Sequence, residues 1–141
     1  MSQNQNNHFR WPVTVYYEDT DVAGVVYHAN YLKFMERART EWLRALGLDQ
    51  TLLIDQDIAF AVAHMDIDYL RPARFNDHLW ATAEIERIGR ASVSFVQRIT
   101  DRHQPDMIYA KAWVKVACVT LSTMKPRPLP EILRKEWSVG G

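Results

Sequence analysis

The stretch from Tyr17 to Tyr31, YEDTDVAGVVYHANY, gathers the densest set of chemically able side chains in the sequence. Glu18, Asp19 and Asp21 crowd carboxylates into one turn, Gly24 permits close approach or unusual dihedrals, and His28 stands just ahead of a helix that begins near Asn30. The first turn of a helix carries unpaired N–H groups and a partial positive charge, which together stabilise an oxyanion. Asp21 lies close enough in sequence to Asn30 to fold back toward the helix start. A carboxylate beside an oxyanion hole serves acyl transfer as nucleophile or general base. Aspartates ordinarily titrate near about 3.9, so at neutral pH such a side chain attacks or activates water rather than donating a proton. The plain alternative is a turn and capping cluster, because Asp is common in turns.

Other constellations are weaker. Cys118 is the single cysteine; it falls on the apolar parity of a strand pattern, where a thiol is usually inert. His64, Asp66 and Asp68 share one strand parity and offer metal ligands, but alternate strand positions spread by about 7 Å, so a solvated face is the expectation and no metal is called for. No basic patch interleaves with Trp80, Trp113 and Trp137, which favours core or interface roles over nucleic-acid binding. No G-x-S-x-G is present, so a serine triad on an α/β-hydrolase scaffold is unsupported.

The elements that hold these residues follow from periodicity. Residues 9–17 alternate, with Trp11, Val13, Val15 and Tyr17 on one face, and Pro12 places this strand at an edge or near its own start. Residues 30–46 repeat Tyr31, Phe34 or Met35, Ala38, Trp42 and Leu46 at helical steps, with Asn30 as N-cap, Gly47 as stop and Arg37–Glu41 as an i,i+4 pair. A short helix over 48–56 follows. Residues 58–69 place Phe60, Val62, His64, Asp66 and Asp68 on one parity; 78–88, 91–100 and 107–121 alternate as three further strands joined by short turns, which predicts antiparallel pairing. The proline-rich KPRPLP run at 125–130 reads as extended, with a terminal helix from Pro130 to about Trp137. A strand, a long helix and four strands make an α+β layer fold.

Composition agrees. The 141 residues suit one domain, 48% are apolar, and 17 Lys+Arg balance 17 Asp+Glu, which weakens any reading built on bulk attraction to nucleic acid or anionic lipid and leaves only a local patch open. The Asn/Gln-rich opening predicts a disordered N-terminus over 1–8, a single domain over 9–137 and a tail at 138–141. No signal-like or membrane-spanning apolar run is present, and the lone cysteine fits a reducing compartment. The expectation is a cytoplasmic protein, with room for peripheral membrane association through partners.

Tyr17-Glu18-Asp19-Thr20-Asp21, then Gly24-Val25-Val26-Tyr27-His28-Ala29-Asn30-Tyr31, then Glu36-Arg37-Ala38-Arg39, resemble the signature of hotdog-fold acyl-CoA thioesterases. The opening FRWPVTVYYEDTD and the late KPRPLP are similar to the Tol–Pal-associated, YbgC-type branch of the 4-hydroxybenzoyl-CoA thioesterase family. The resemblance covers nearly all of residues 9–137. It implies a long central helix wrapped by a curved antiparallel five-stranded sheet, dimers that often form tetramers, and active sites at the subunit interface. It further implies that Asp21 is the catalytic carboxylate, that the His28 N–H polarises the thioester carbonyl, and that the His28 and Tyr17 side chains join the site. Gly24 and Tyr27 belong to the same substrate-binding stretch, and Arg90 aligns with a basic turn that contacts coenzyme A phosphates. No cofactor is implied, since coenzyme A arrives with the substrate. A histidine ordinarily titrates near about 6.5 and so can orient water or protonate the leaving thiolate. The alternative from the same branch is a weakly catalytic or non-catalytic adaptor of Tol–Pal envelope machinery or phospholipid synthesis, acting through acyl carrier protein. A hotdog dehydratase would need a different helix-borne His/Asp or His/Glu pair, which is absent.

Overall fold

Alternation in the second half of the chain resolves into long antiparallel strands. The computed structural model describes residues 7–137. In chain order these form β1 (His8–Thr14), a 3-10 turn (Tyr17–Asp19), α1 (Asn30–Ala45), α2 (Gln50–Asp55), β2 (Ile58–Tyr69), β3 (His78–Ile88), β4 (Ser92–Asp101), β5 (Ile108–Thr120), β6 (Lys125–Pro126) and α3 (Glu131–Glu136). One sheet runs β1-β3-β4-β5-β2, every neighbour antiparallel, and the two-residue β6 adds to β5. β1 and β2 are its edges, so Pro12 sits in an edge strand, where its missing N–H costs least. Of the expected disordered lead, residues 1–6 lie outside the described residues, as does the tail at 138–141, while His8 already pairs with Glu84 in β1.

α1 lies across the concave face because its stripe is apolar at helical spacing. Tyr31, Phe34, Met35, Ala38, Trp42 and Leu43 are buried on β1, β3 and β4. Trp42 is the centre of this packing, with ring centroids 5.8 Å from Phe9, 6.2 Å from Phe95 and 4.9 Å from Trp137. Trp42→Ala is expected to destabilise the fold by about 3–5 kcal/mol, read as a lower urea midpoint with unchanged slope. α1 ends as Gly47 predicts. Gly47 has φ +86°, its N–H reaches the Arg44 carbonyl at 3.0 Å, and the Leu48 N–H reaches that of Leu43 at 2.9 Å, a Schellman closure.

Four local expectations are corrected. The N-cap is Ala29, because the Asn30 side chain is drawn inward to Asp19 instead of back onto the helix N–H groups. Glu41 pairs with Arg44 at 2.6 Å rather than with Arg37, whose guanidinium lies over the Phe34 ring at 5.6 Å. Tyr17 does not continue the β1 face: the strand ends at Thr14, and Tyr17 opens the 3-10 turn, 80% exposed. In β2 a bulge inserts Ala63 between the pairs Val62–Val116 and His64–Lys115, so the parity reverses. Phe60 and Val62 before it and Met65 after it line the same groove, while His64, Asp66 and Asp68 face solvent.

Candidate active site

The loop from β1 to α1 is built around one buried carboxylate, and it is Asp19, not Asp21. The 3-10 turn sends Asp19 inward, where it is 6% exposed. Its Oδ2 accepts from the Tyr16 N–H and its Oδ1 from the Asn30 Nδ2, each at 2.9 Å. The Tyr27 N–H donates to the Asp19 carbonyl at 2.9 Å. Asp19 thus ties the end of β1, the middle of the loop and the first residue of α1 into one unit. Sequence reasoning missed it. The available signal was the pair of acids two apart in EDTD, of which one had to turn inward.

Asp21 stands on the opposite side of that turn. Its N–H donates to the Val25 carbonyl at 2.9 Å, its carbonyl accepts from the Gly24 N–H at 3.0 Å, and its Oδ1 accepts from the Ala23 N–H at 2.9 Å. Gly24 at φ +82° makes this tight reversal possible; a bridge from Thr20 to Val26 closes the loop on itself, and one from Val25 to Arg74 pins it to the connection between β2 and β3. The second oxygen of Asp21 accepts from no described residue, and the side chain is exposed. Among the described residues, Asp21 therefore faces solvent rather than the groove beside α1.

The helix start supplies the donors. The Asn30 N–H is used by the Tyr27 carbonyl at 2.8 Å, whereas among the described residues the His28 N–H meets no protein acceptor. The His28 imidazole lies 4.5 Å from the Tyr27 ring and 6.0 Å from that of Tyr69, centroid to centroid, and is exposed. Tyr31 fixes the same end from within. Its hydroxyl accepts from the Ala73 N–H at 3.0 Å, and burial pushes its pKa up, so it stays a neutral phenol. Tyr17 packs edge-on against Phe75 at 5.7 Å. Around the loop, Tyr17, Tyr27, Tyr69, Leu70 and Phe75 form an exposed apolar rim.

The fold brings Tyr17, Asp21, Gly24, Tyr27 and His28 onto this one loop, but not Arg90. Arg90 lies in the β3–β4 turn, beyond the far end of an eleven-residue strand that spans about 35 Å. There its carbonyl accepts from the Leu129 N–H and the Arg134 Nη2. Cys118 is buried with its Sγ 3.6 Å from the Pro128 carbonyl, and burial pushes its pKa up, so it is a packed thiol rather than a nucleophile. His64 and Asp66 form an exposed pair at 3.1 Å, and no metal-ligating cluster of three or more His, Cys, Asp or Glu occurs among the described residues. Trp137 is core, Trp80 lies beneath the Arg10 guanidinium at 4.0 Å, and Trp113 packs by His64. Among the described residues no helix is long and apolar enough to cross a membrane.

A groove of about 570 Å³ runs between α1 and the β2 edge, from Leu32, one turn into the helix, to Leu43, with Phe60, Val62, Met65 and Phe95 among its walls. A long helix across a curled antiparallel sheet, with a carboxylate turn and an unspent N–H at the helix start, defines a hotdog-fold thioesterase, and the chain belongs to the Thioesterase superfamily, whose sequence model matches residues 23–114. Over 127 residues it is 48% identical to the acyl-CoA thioesterase YbgC of Haemophilus influenzae, covering 89% of this chain and 91% of that one. It is 46% identical to the acyl-CoA thioester hydrolase YbgC of Escherichia coli O6:H1, over 92% of this chain and 95% of the relative. Among solved structures, a probable thioesterase from Bartonella henselae superposes with a TM-score of 0.80 at 36% identity, covering 87% of this chain and 99% of that one.

Proposed function

We infer that this chain hydrolyses acyl-CoA thioesters to the free acid and coenzyme A. One observation carries the mechanism: Asp21, one oxygen held by the Ala23 N–H and the other unspent, shares a braced loop with the unspent His28 N–H at the start of a sixteen-residue helix. The named acyl-CoA thioesterases at 46–48% identity support the reaction class. In this reading the thioester carbonyl oxygen takes the His28 N–H, and the Asp21 carboxylate either attacks the carbonyl carbon or takes a proton from attacking water. Coenzyme A then departs as thiolate and is protonated by solvent or by His28; where Asp21 has attacked, water cleaves the resulting Asp21–acyl anhydride, which releases the free acid and restores the carboxylate. Tyr17, Tyr27 and Gly24 line the approach. Arg90 meets coenzyme A phosphates only if it comes from a second copy, given its place at the far end of β3.

The reading requires assembly. The exposed aromatic rim and two open sheet edges leave the loop uncovered in one chain, so a homodimer or homotetramer completes the cleft. The proposal further comprises a cytoplasmic location, no resident metal or cofactor, and a link to Tol–Pal or acyl carrier protein that rests on the branch resemblance alone. The test is release of free thiol from acyl-CoAs of graded length by the purified protein. Turnover on at least one ester is expected. No turnover on any thioester, combined with capture of acyl carrier protein, overturns the hydrolase reading in favour of the adaptor.

A further inference from the structure

The groove beside α1 has apolar walls on its sheet side, from Phe60, Val62, Met65 and Phe95, and a polar helix side that includes Glu36 and Arg39. The Arg39 guanidinium is largely withdrawn from water, and this burial lowers its pKa, with Glu36 one turn away acting in the opposite direction. No carboxylate among the described residues lies within 4.0 Å of it. Its hydrogen-bond partner among the described residues is neutral: Nη1 donates to the Gln97 Oε1 at 2.7 Å. Gln97 is completely buried, and its Nε2 donates to the carbonyls of Met35 at 3.0 Å and Thr82 at 3.1 Å. Both amide hydrogens are thereby committed, so the Gln97 oxygen can only face the guanidinium. A guanidinium has five N–H donors in a planar fork. A desolvated cation with most of that fork unspent is costly unless an anion meets it.

We propose that this groove selects acyl groups whose far end carries a carboxylate, with Arg39 as the counter-ion that receives it. The inference rests on the thioesterase reading, because that reading places the thioester at the helix start. Arg39 is nine residues after Asn30, about 13 Å along the helix axis. Its side chain leans back toward the N-terminus, and an extended chain advances about 1.2 Å per bond, so the span suits an acyl group of roughly eight to ten carbons. The apolar walls take the methylenes and the fork takes the carboxylate two-pronged. Lys33 and Glu36 line the same groove with opposite charges, so its net positive charge is that of one cation.

The test compares kcat/KM for a ten-carbon ω-carboxyacyl-CoA with that for decanoyl-CoA. The unmodified protein is expected to prefer the carboxylated ester. The preference should fall by about tenfold or more in Arg39→Met and be partly restored in Arg39→Lys, which keeps the charge without the fork. A preference for decanoyl-CoA in the unmodified protein overturns the proposal without any variant, as does a ratio unmoved by Arg39→Met. Calorimetric titration with decanedioate and decanoate reads the groove independently of turnover. Stronger binding of decanedioate, lost in Arg39→Met, supports the proposal even where no ester is hydrolysed, and equal binding of the two acids refutes it.

Discussion

Asp21→Asn is expected to lower the turnover of acyl-CoA by roughly 10²–10⁴-fold while leaving stability within about 0.5 kcal/mol of the unmodified protein. The two halves of this expectation have separate causes. The asparagine carbonyl can accept the Ala23 N–H where the Asp21 Oδ1 now does, so the turn closed by Gly24 keeps its geometry. The side chain is exposed and supports no other element. What disappears is the negative charge on the unspent oxygen, and with it the capacity to attack a carbonyl or draw a proton from water. Released thiol at saturating acyl-CoA measures the first half and a urea melt the second. Near-normal turnover in the folded variant would refute the assignment of Asp21.

The Asp19→Ala variant should fail differently. It strands the Tyr16 N–H and the Asn30 Nδ2, both held at 2.9 Å by a carboxylate that is 6% exposed. Leaving such donors unpaired costs about 2–4 kcal/mol in total. The loop then loses the tie that sets the helix start relative to Asp21, and a displacement of about 1 Å at such a site is enough for a loss near 10²-fold in kcat. Asp19→Asn retains one acceptor oxygen and should fall between the two. The pair of variants separates a group that acts on the substrate from one that aims it. Asp21→Asn loses turnover at an unchanged melting midpoint, whereas Asp19→Ala loses both together. An Asp19→Ala protein with unmodified stability and rate contradicts the bracing role.

Periodicity made most of the architecture readable and concealed the rest for identifiable reasons. The α1 stripe was legible because Tyr31, Ala38 and Trp42 recur at helical steps over about three turns, and the helix ends at Gly47 in a positive-φ conformation that glycine tolerates better than any other residue. The runs that became β3 and β5 were legible because burial alternates along most of each, whereas β4, the central strand, also buries Ser94 between Val93 and Phe95. β2 misled because Ala63 is a small residue that breaks no pattern, while the bulge it forms reverses every position after it. Tyr17 misled because three residues of 3-10 turn cannot be distinguished from continued strand by alternation alone. The loop ahead of α1 was legible as a unit. The division of labour between its acids was not, since Asp19 and Asp21 have the same parity and the same chemistry, and only the inward turn of the backbone assigns one to the helix and one to solvent.

The extra residue at position 63 has a bearing on how this edge can vary. An outermost strand normally tolerates trimming, because half of its hydrogen-bonding groups are uncommitted. That holds at Ala63, whose loss would straighten the strand and keep its partners: Val62 would stay opposite Val116, His64 opposite Lys115 and Met65 opposite Val114. Forcing Ala63 into regular alternation, with no residue removed, is what would turn Met65 and Ile67 outward and thrust His64, Asp66 and Asp68 beneath the helix. The bulge is thus the device that holds one extra residue at this edge without trading a greasy channel for an acidic one.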